Sequence, residues 1–281
     1  MAARSVETLL RRVLDYAGMF PPASLAIGDA TATYVRYRAG ADAWTVGTFV
    51  IAADRLEQLD SQIGPVSVVM HAGSAADVER VLRAGRRTRI AAVEFRPVAP
   101  ADVAALAAAV PGNVQACFEV PPDADLERRL DVVAASGGSA KIRTGGVTPE
   151  AFPSASAIYR FIRACAERGL CVKATAGLHH ALTGRYPLTY EATSPSAPMY
   201  GFLNMCAAAA LVHAGTTEQD VLQLLAESSP TAFRFEDESI GWREHDISIS
   251  DLAATRQTLF CSFGSCSLQE PVDDLKRIGA L

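Results

Sequence analysis

From residue 46 onward the chain repeats one pattern, a short apolar run followed by a stretch with helical spacing and then another apolar run. The runs are Val46–Ala52, Val66–His71, Ile90–Phe95, Val114–Val120, Ala140–Thr144 and Leu170–Thr175. Helices are predicted between them, around 54–61, 74–84, 100–109, 124–136 and 154–168. Most of these begin on a capping or first-turn residue such as Asp54, Ser74, Asp123 or Pro149-Glu150. Strands linked through helices call for right-handed crossovers and a parallel sheet. Two weaker candidates, Ala232–Glu236 and Thr258–Phe263, bring the strand count to eight. A single (β/α)8 TIM-type barrel over residues 1–281 follows. Residues 1–45 then form an N-terminal helical extension that closes the barrel floor or serves a homo-oligomer contact. An open doubly wound sheet is the weaker reading, because no G-x-G-x-x-G follows the first run.

Composition narrows the function classes. About half of the 281 residues are hydrophobic and the net charge is −5, so there is no electrostatic footprint for nucleic acid. No apolar run is long enough to span a bilayer. The first residues carry charges inside an amphipathic pattern, unlike a secretory leader. The six cysteines lie mostly inside apolar segments, which predicts reduced thiols, a cytoplasmic location and a small-molecule partner.

Lysine usage points to a site. The 26 basic residues include only three lysines, and two of them, Lys141 and Lys173, end apolar runs. Arg stays charged, whereas a buried lysine can lose its proton and act as a nucleophile or base. Period-two alternation turns Lys173 and Thr175 to one face of their strand, and Lys141 and Arg143 to one face of theirs. On the neighbouring strands Glu94, Glu119 and His71 reach the same C-terminal mouth, where barrels place their chemistry. Gly145 and Gly146 follow Lys141 in a turn able to cradle an anion. Of the adjacent His179 and His180, alternation directs one into the mouth. The long loop 177–198 carries Arg185, placed to clamp an anionic substrate as part of a lid. The Cys261-to-Cys266 turn and the segment Asp15–Pro22 have no assigned role.

The run Lys173-Ala174-Thr175-Ala176-Gly177 resembles the K-x-[ST]-x-G signature on the sixth strand of the deoxyribose-phosphate aldolase type of class I aldolase. The resemblance covers these five residues and their strand position. It implies a Schiff-base lysine at Lys173. That family carries a second lysine on the following strand, whereas here the second, Lys141, is on the preceding one. A neighbouring cation disfavours protonation, so Lys141 is expected to free the Lys173 amine, with Glu119 or Glu94 moving protons. The leading expectation is a lyase, aldolase-like, or an isomerase acting on a carbonyl, anionic substrate without a cofactor. One alternative is a metal-assisted enolising enzyme whose divalent ion is held by Glu94, Glu119 and a histidine. Another is a non-catalytic barrel that binds a small molecule.

Overall fold

The computed structural model describes residues 2–71 and 73–281. Eight parallel strands close into a barrel, with the helices packed around it. In chain order its wall strands are β1 (Leu14–Tyr16), β2 (Val46–Ala52), β3 (Val66–Met70), β4 (Ile90–Phe95), β5 (Gln115–Glu119), β6 (Ser139–Arg143) and β7 (Val172–Thr175). Five more strands follow: β8 (Gly184–Pro187), β9 (Ser196–Met199), β10 (Phe233–Phe235), β11 (Ser239–Trp242) and β12 (His245–Ser248), and then β13 (Phe260–Ser265), which is again in the wall. Around the wall the order is β1, β13, β7, β6, β5, β4, β3, β2, and β2 pairs back onto β1.

The eighth staff of the barrel is therefore β1, and the strand expected at Ala232–Glu236 lies outside it. Its core, β10, forms an antiparallel sheet with β11 and β12, pairing Phe233 with Trp242. That sheet buries Phe233, Ile240, Trp242 and Ile247 away from the lumen. The apolar signal at 232–236 was real, but its partner is the hairpin that follows it. Residues 1–45 are likewise more than an extension. Helix α1 (Arg4–Leu10) leads into β1, and α2 (Ile27–Arg38) packs against β2.

β1 is three residues long and is held by what surrounds it. Leu14, Asp15 and Tyr16 pair with Phe263, Gly264 and Ser265 of β13, and Leu14 and Tyr16 pair with Val46 and Phe49 of β2. Tyr16 sits in an aromatic cluster with Tyr34 of α2 and Phe49, with centroids 5.4–6.5 Å apart. Such pairs add about 0.5–1.5 kcal/mol each beyond area burial. The Tyr34 hydroxyl donates to the Gly47 carbonyl at 3.0 Å.

Cys171 and Cys261 are joined, contrary to the expectation of six thiols. Pairing of Val172 with Phe260 sets them side by side, with Cα atoms 6.0 Å apart, within bridging reach. The other four cysteines are free and buried. No helix among the described residues is long and apolar enough to cross a membrane.

Gly47 is where β2 passes closest to β1. A Cβ there would lie 2.5 Å from Asp15 Oδ1 and 2.9 Å from the Arg12 carbonyl oxygen, both fixed by the wall. Gly47→Ala is expected to cost about 1–3 kcal/mol, as overpacking does. Urea unfolding monitored by circular dichroism measures it, and an unchanged midpoint would refute this closeness of β1 and β2.

Candidate active site

Alternation along the wall turns the polar set inward. β4 presents Ala92 and Glu94 to the lumen, with Arg96 beyond its end, β6 presents Lys141 and Arg143, and β7 presents Lys173 and Thr175. Registers place Lys141 beside Glu119 on one side and Lys173 on the other. β1 adds Asp15, which has no counterpart among the residues singled out from sequence.

These side chains form one ladder of alternating charge. Lys173 Nζ lies 2.5 Å from Asp15 Oδ2 and 2.7 Å from Glu94 Oε1. Lys141 Nζ lies 3.2 Å from Glu94 Oε2 and 3.1 Å from Glu119 Oε2. Glu94 thus bridges the two ammoniums, one oxygen to each. The Ser67 hydroxyl donates to Glu94 Oε1 at 2.6 Å. Asp15 accepts from the Ser262 hydroxyl at 2.7 Å, and from both the Thr48 backbone N–H and its hydroxyl at 2.7 Å. Asp15, Glu94, Lys141 and Lys173 are each no more than 4% exposed. Burying an ion costs several kcal/mol unless its partners are well placed, and here every one of the four has such partners.

The ladder sets proton affinities. Burial alone would raise Glu94, but Lys173 and Lys141 outweigh it and hold the carboxyl down to about 2. Burial alone would lower Lys173, but Asp15 and Glu94 outweigh it and raise its affinity above the ordinary lysine value. This corrects the expectation that Lys141 frees the Lys173 amine. The carboxylates between and beside the two cations decide the sign.

The two lysines also face different openings. Lys141, Glu94 and Glu119 line a mouth cavity of about 260 Å3 at the C-terminal ends of the strands, with Arg96, Arg143, Thr175, Gly146 and His179 also on its wall. The Asp15–Pro22 segment turns over this cavity through Phe20, Pro21 and Pro22. Lys173 and Asp15 line a separate cavity of about 460 Å3 at the floor, beside Arg12 and Arg89. Among the described residues neither Arg96 nor Arg143 is in an ion pair with a carboxylate.

Four other expected contacts, His71, His180, Arg185 and Gly145, fall elsewhere. β3 ends at Met70, so the chain bends before alternation can turn His71 inward. His71 lines an outer groove with Asp77 and Arg80. His180 points away from the mouth, its Nδ1 3.0 Å from Asp274 Oδ2 and its ring stacked on Tyr186. Only His179 of the pair reaches the mouth. In β8 the half-buried faces belong to Gly184 and Tyr186, which leaves Arg185 exposed and off the cavity. Gly145 serves close packing: a Cβ there would meet Phe152 at 2.5 Å and the Gly177 Cα at 3.0 Å. Ala176 and Gly177 both take left-handed backbone conformations (φ +67° and +75°), which turns the chain sharply after Thr175.

The described residues include no group of three or more His, Cys, Asp or Glu arranged to hold a metal ion. Glu94 and Glu119, the ligands expected from sequence, both pair with Lys141, and His71 is outside the mouth. No protein-family model matches the chain, and no curated protein matches it significantly.

Glu94 makes the fold acid-sensitive. Its depressed proton affinity contributes stability that is complete above the unfolded value, near pH 4.5, and is lost as pH falls toward 2. At about 1.4 kcal/mol per tenfold change in affinity, the loss is on the order of 3 kcal/mol. Lys173 has the opposite sign: its contribution is present below the unfolded lysine value near pH 10.4 and is lost only in stronger alkali. Urea titrations at stepped pH are expected to show the acid loss, with a flatter profile for Glu94→Gln. Equal slopes in the two proteins would remove Glu94 from this role.

Proposed function

We propose that the chain is an enzyme of the lyase or isomerase class that acts on a small anionic carbonyl compound at the barrel mouth, with Lys141 as its amine. The observation that carries this reading is the placement of Lys141 at the base of the mouth cavity between two carboxylates, while Lys173 faces the floor. Arg96 and Arg143, free of carboxylate partners among the described residues, supply positive charge for a carboxylate or phosphate group on the substrate.

The chemistry runs through the pair Lys141–Glu119. Glu119 takes a proton from the Lys141 ammonium, and the amine adds to the substrate carbonyl carbon. The carbinolamine loses water with that proton returned to the leaving oxygen. The resulting iminium draws electrons from an adjacent C–C or C–H bond, which breaks toward it, and a carboxylate accepts the departing proton. Lys173 is a positioning residue here: its locked charge keeps Glu94 ionised and aimed at Lys141. This transfers the amine role, expected at Lys173 from the aldolase resemblance, to its neighbour. A metal-assisted route would require Glu94 and Glu119 to leave Lys141. The net charge of −5 fits an enzyme with a small-molecule partner and no nucleic acid, and the four free buried thiols suit a cytoplasmic location although the Cys171–Cys261 bridge does not.

Borohydride reduction during incubation with small 2-oxo acids and hydroxyaldehydes, followed by peptide mass mapping, tests this. An adduct is expected on Lys141 and not on Lys173. Lys141→Arg is expected to abolish it, and Glu119→Gln to slow trapping by about 100-fold or more. An adduct on Lys173, or Lys141→Arg with trapping intact, would overturn the assignment. Binding without any adduct would favour a non-catalytic barrel.

A further inference from the structure

Two strands along the wall from Lys141, the end of β13 brings a second set of ionisable side chains to the same mouth. Cys266, 5% exposed, borders the cavity with His179. The His179 Nδ1 lies 3.6 Å from Cys266 Sγ, 3.3 Å from Ser265 Oγ and 3.5 Å from Glu270 Oε2. The Tyr190 hydroxyl, from the loop between β8 and β9, lies 3.5 Å from Cys266 Sγ and donates to Glu270 Oε2 at 3.0 Å. The Tyr190 proton goes to Glu270, so the donor within reach of the sulfur is the His179 ring nitrogen.

We propose that Cys266, with His179 as its proton partner, is a nucleophilic thiol of the mouth that takes the carbonyl carbon of a small aldehyde or 2-oxo compound. Three observations carry this beyond a buried cysteine: the shared cavity, the imidazole at the sulfur, and the phenol that spans sulfur and carboxylate. Burial alone would lower His179, but its contacts with Cys266 and Glu270 outweigh it and bring it up to about 9. A cation beside a thiol favours the thiolate. Glu270, kept ionised against burial by its contacts with His179 and Tyr190, opposes that effect with its negative charge. The other charged or titratable groups facing the sulfur are Tyr16 from β1 and, around the cavity, Glu94, Arg96, Glu119, Lys141 and Arg143.

The step balances within the site. The thiolate sulfur forms a bond to the carbonyl carbon while the C=O π pair moves to oxygen. The His179 imidazolium gives that oxygen its proton, leaving a neutral hemithioacetal and a neutral ring. Reversal returns the aldehyde. No oxidant is involved, and the step is independent of any imine at Lys141.

The other free thiols, Cys117, Cys165 and Cys206, are fully buried and do not border the mouth, so Cys266 can be followed alone. The native full-length protein is treated with iodoacetamide from about pH 5.5 to 9.5, and each cysteine is followed by peptide mass spectrometry. Cys266 is expected to react about tenfold faster than glutathione at pH 6.5. His179→Gln is expected to lower the rate about tenfold at pH 6.5 and by less than about twofold at pH 9.5. Millimolar glyoxylate, an anionic aldehyde, is expected to slow the alkylation reversibly. The wild-type profile needs no variant to fold. Protection of Cys266 from alkylation, a rate no faster than that of glutathione, a His179→Gln rate equal to wild type, or no effect of glyoxylate would each overturn the proposal. A positive result alongside no imine at Lys141 would leave this site standing and the amine reading refuted.

Discussion

The run Asp15–Lys173–Glu94–Lys141–Glu119 is the interaction on which the architecture depends. Charges sunk this deeply in a barrel are tolerated only with partners at contact distance, and each partner here comes from a different strand. The ladder therefore constrains the relative register of β1, β4, β5, β6 and β7, because a one-residue slip of any of them would move a charge to the helix-facing side. It also accounts for β1. Three residues are a poor strand by themselves, yet β1 closes the wall and delivers the carboxylate that completes Lys173. Ser67, Ser262 and Thr48 then occupy remaining carboxylate lone pairs, so the polar interior is satisfied without breaking the apolar shell outside it.

The same ladder divides the labour of the two lysines. Both lysines sit between two carboxylates and are almost fully buried, but Lys173 borders the floor cavity whereas Lys141 forms the base of the mouth. A lysine with a locked proton is a fixed positive charge, useful for holding Glu94 ionised. A lysine that meets an incoming carbonyl group beside proton acceptors is a candidate nucleophile. Cys266 and His179 continue the polar lining of the mouth along the wall, and Phe20, Pro21 and Pro22 add an apolar part to it.

Much of this was legible in the sequence for a definite reason. The runs from Val46 to Thr175 are long enough for both their spacing and their alternation to be read, so six wall strands and the inward faces of Glu94, Glu119, Lys141 and Lys173 follow directly. The failures share one cause, which is that short elements carry too little pattern. Leu14-Asp15-Tyr16 offers no alternation to read, and its single acid looks like the end of a helix; a lone carboxylate inside Val13-Leu14-Asp15-Tyr16 was the available signal. His71 lies one residue beyond the strand that would have fixed its direction. Phe233–Phe235 has strand composition, but only tertiary pairing decides between wall and hairpin. The sign of the lysine interaction was out of reach as well, because two cations on adjacent strands repel until a third residue, Glu94, is known to stand between them.

Asp15 and Glu94 lock the Lys173 proton. With three lysines in the chain, protein labelled with 15N at the lysine Nζ gives a spectrum simple enough to follow residue by residue, and Lys276, half-exposed and paired with Asp42, is an internal reference. Lys173→Arg and Lys141→Arg assign the signals. Lys173 is predicted to remain an ammonium through about pH 10.5, where an ordinary lysine is half deprotonated. A Lys173 signal that titrates below about pH 9 would contradict the account.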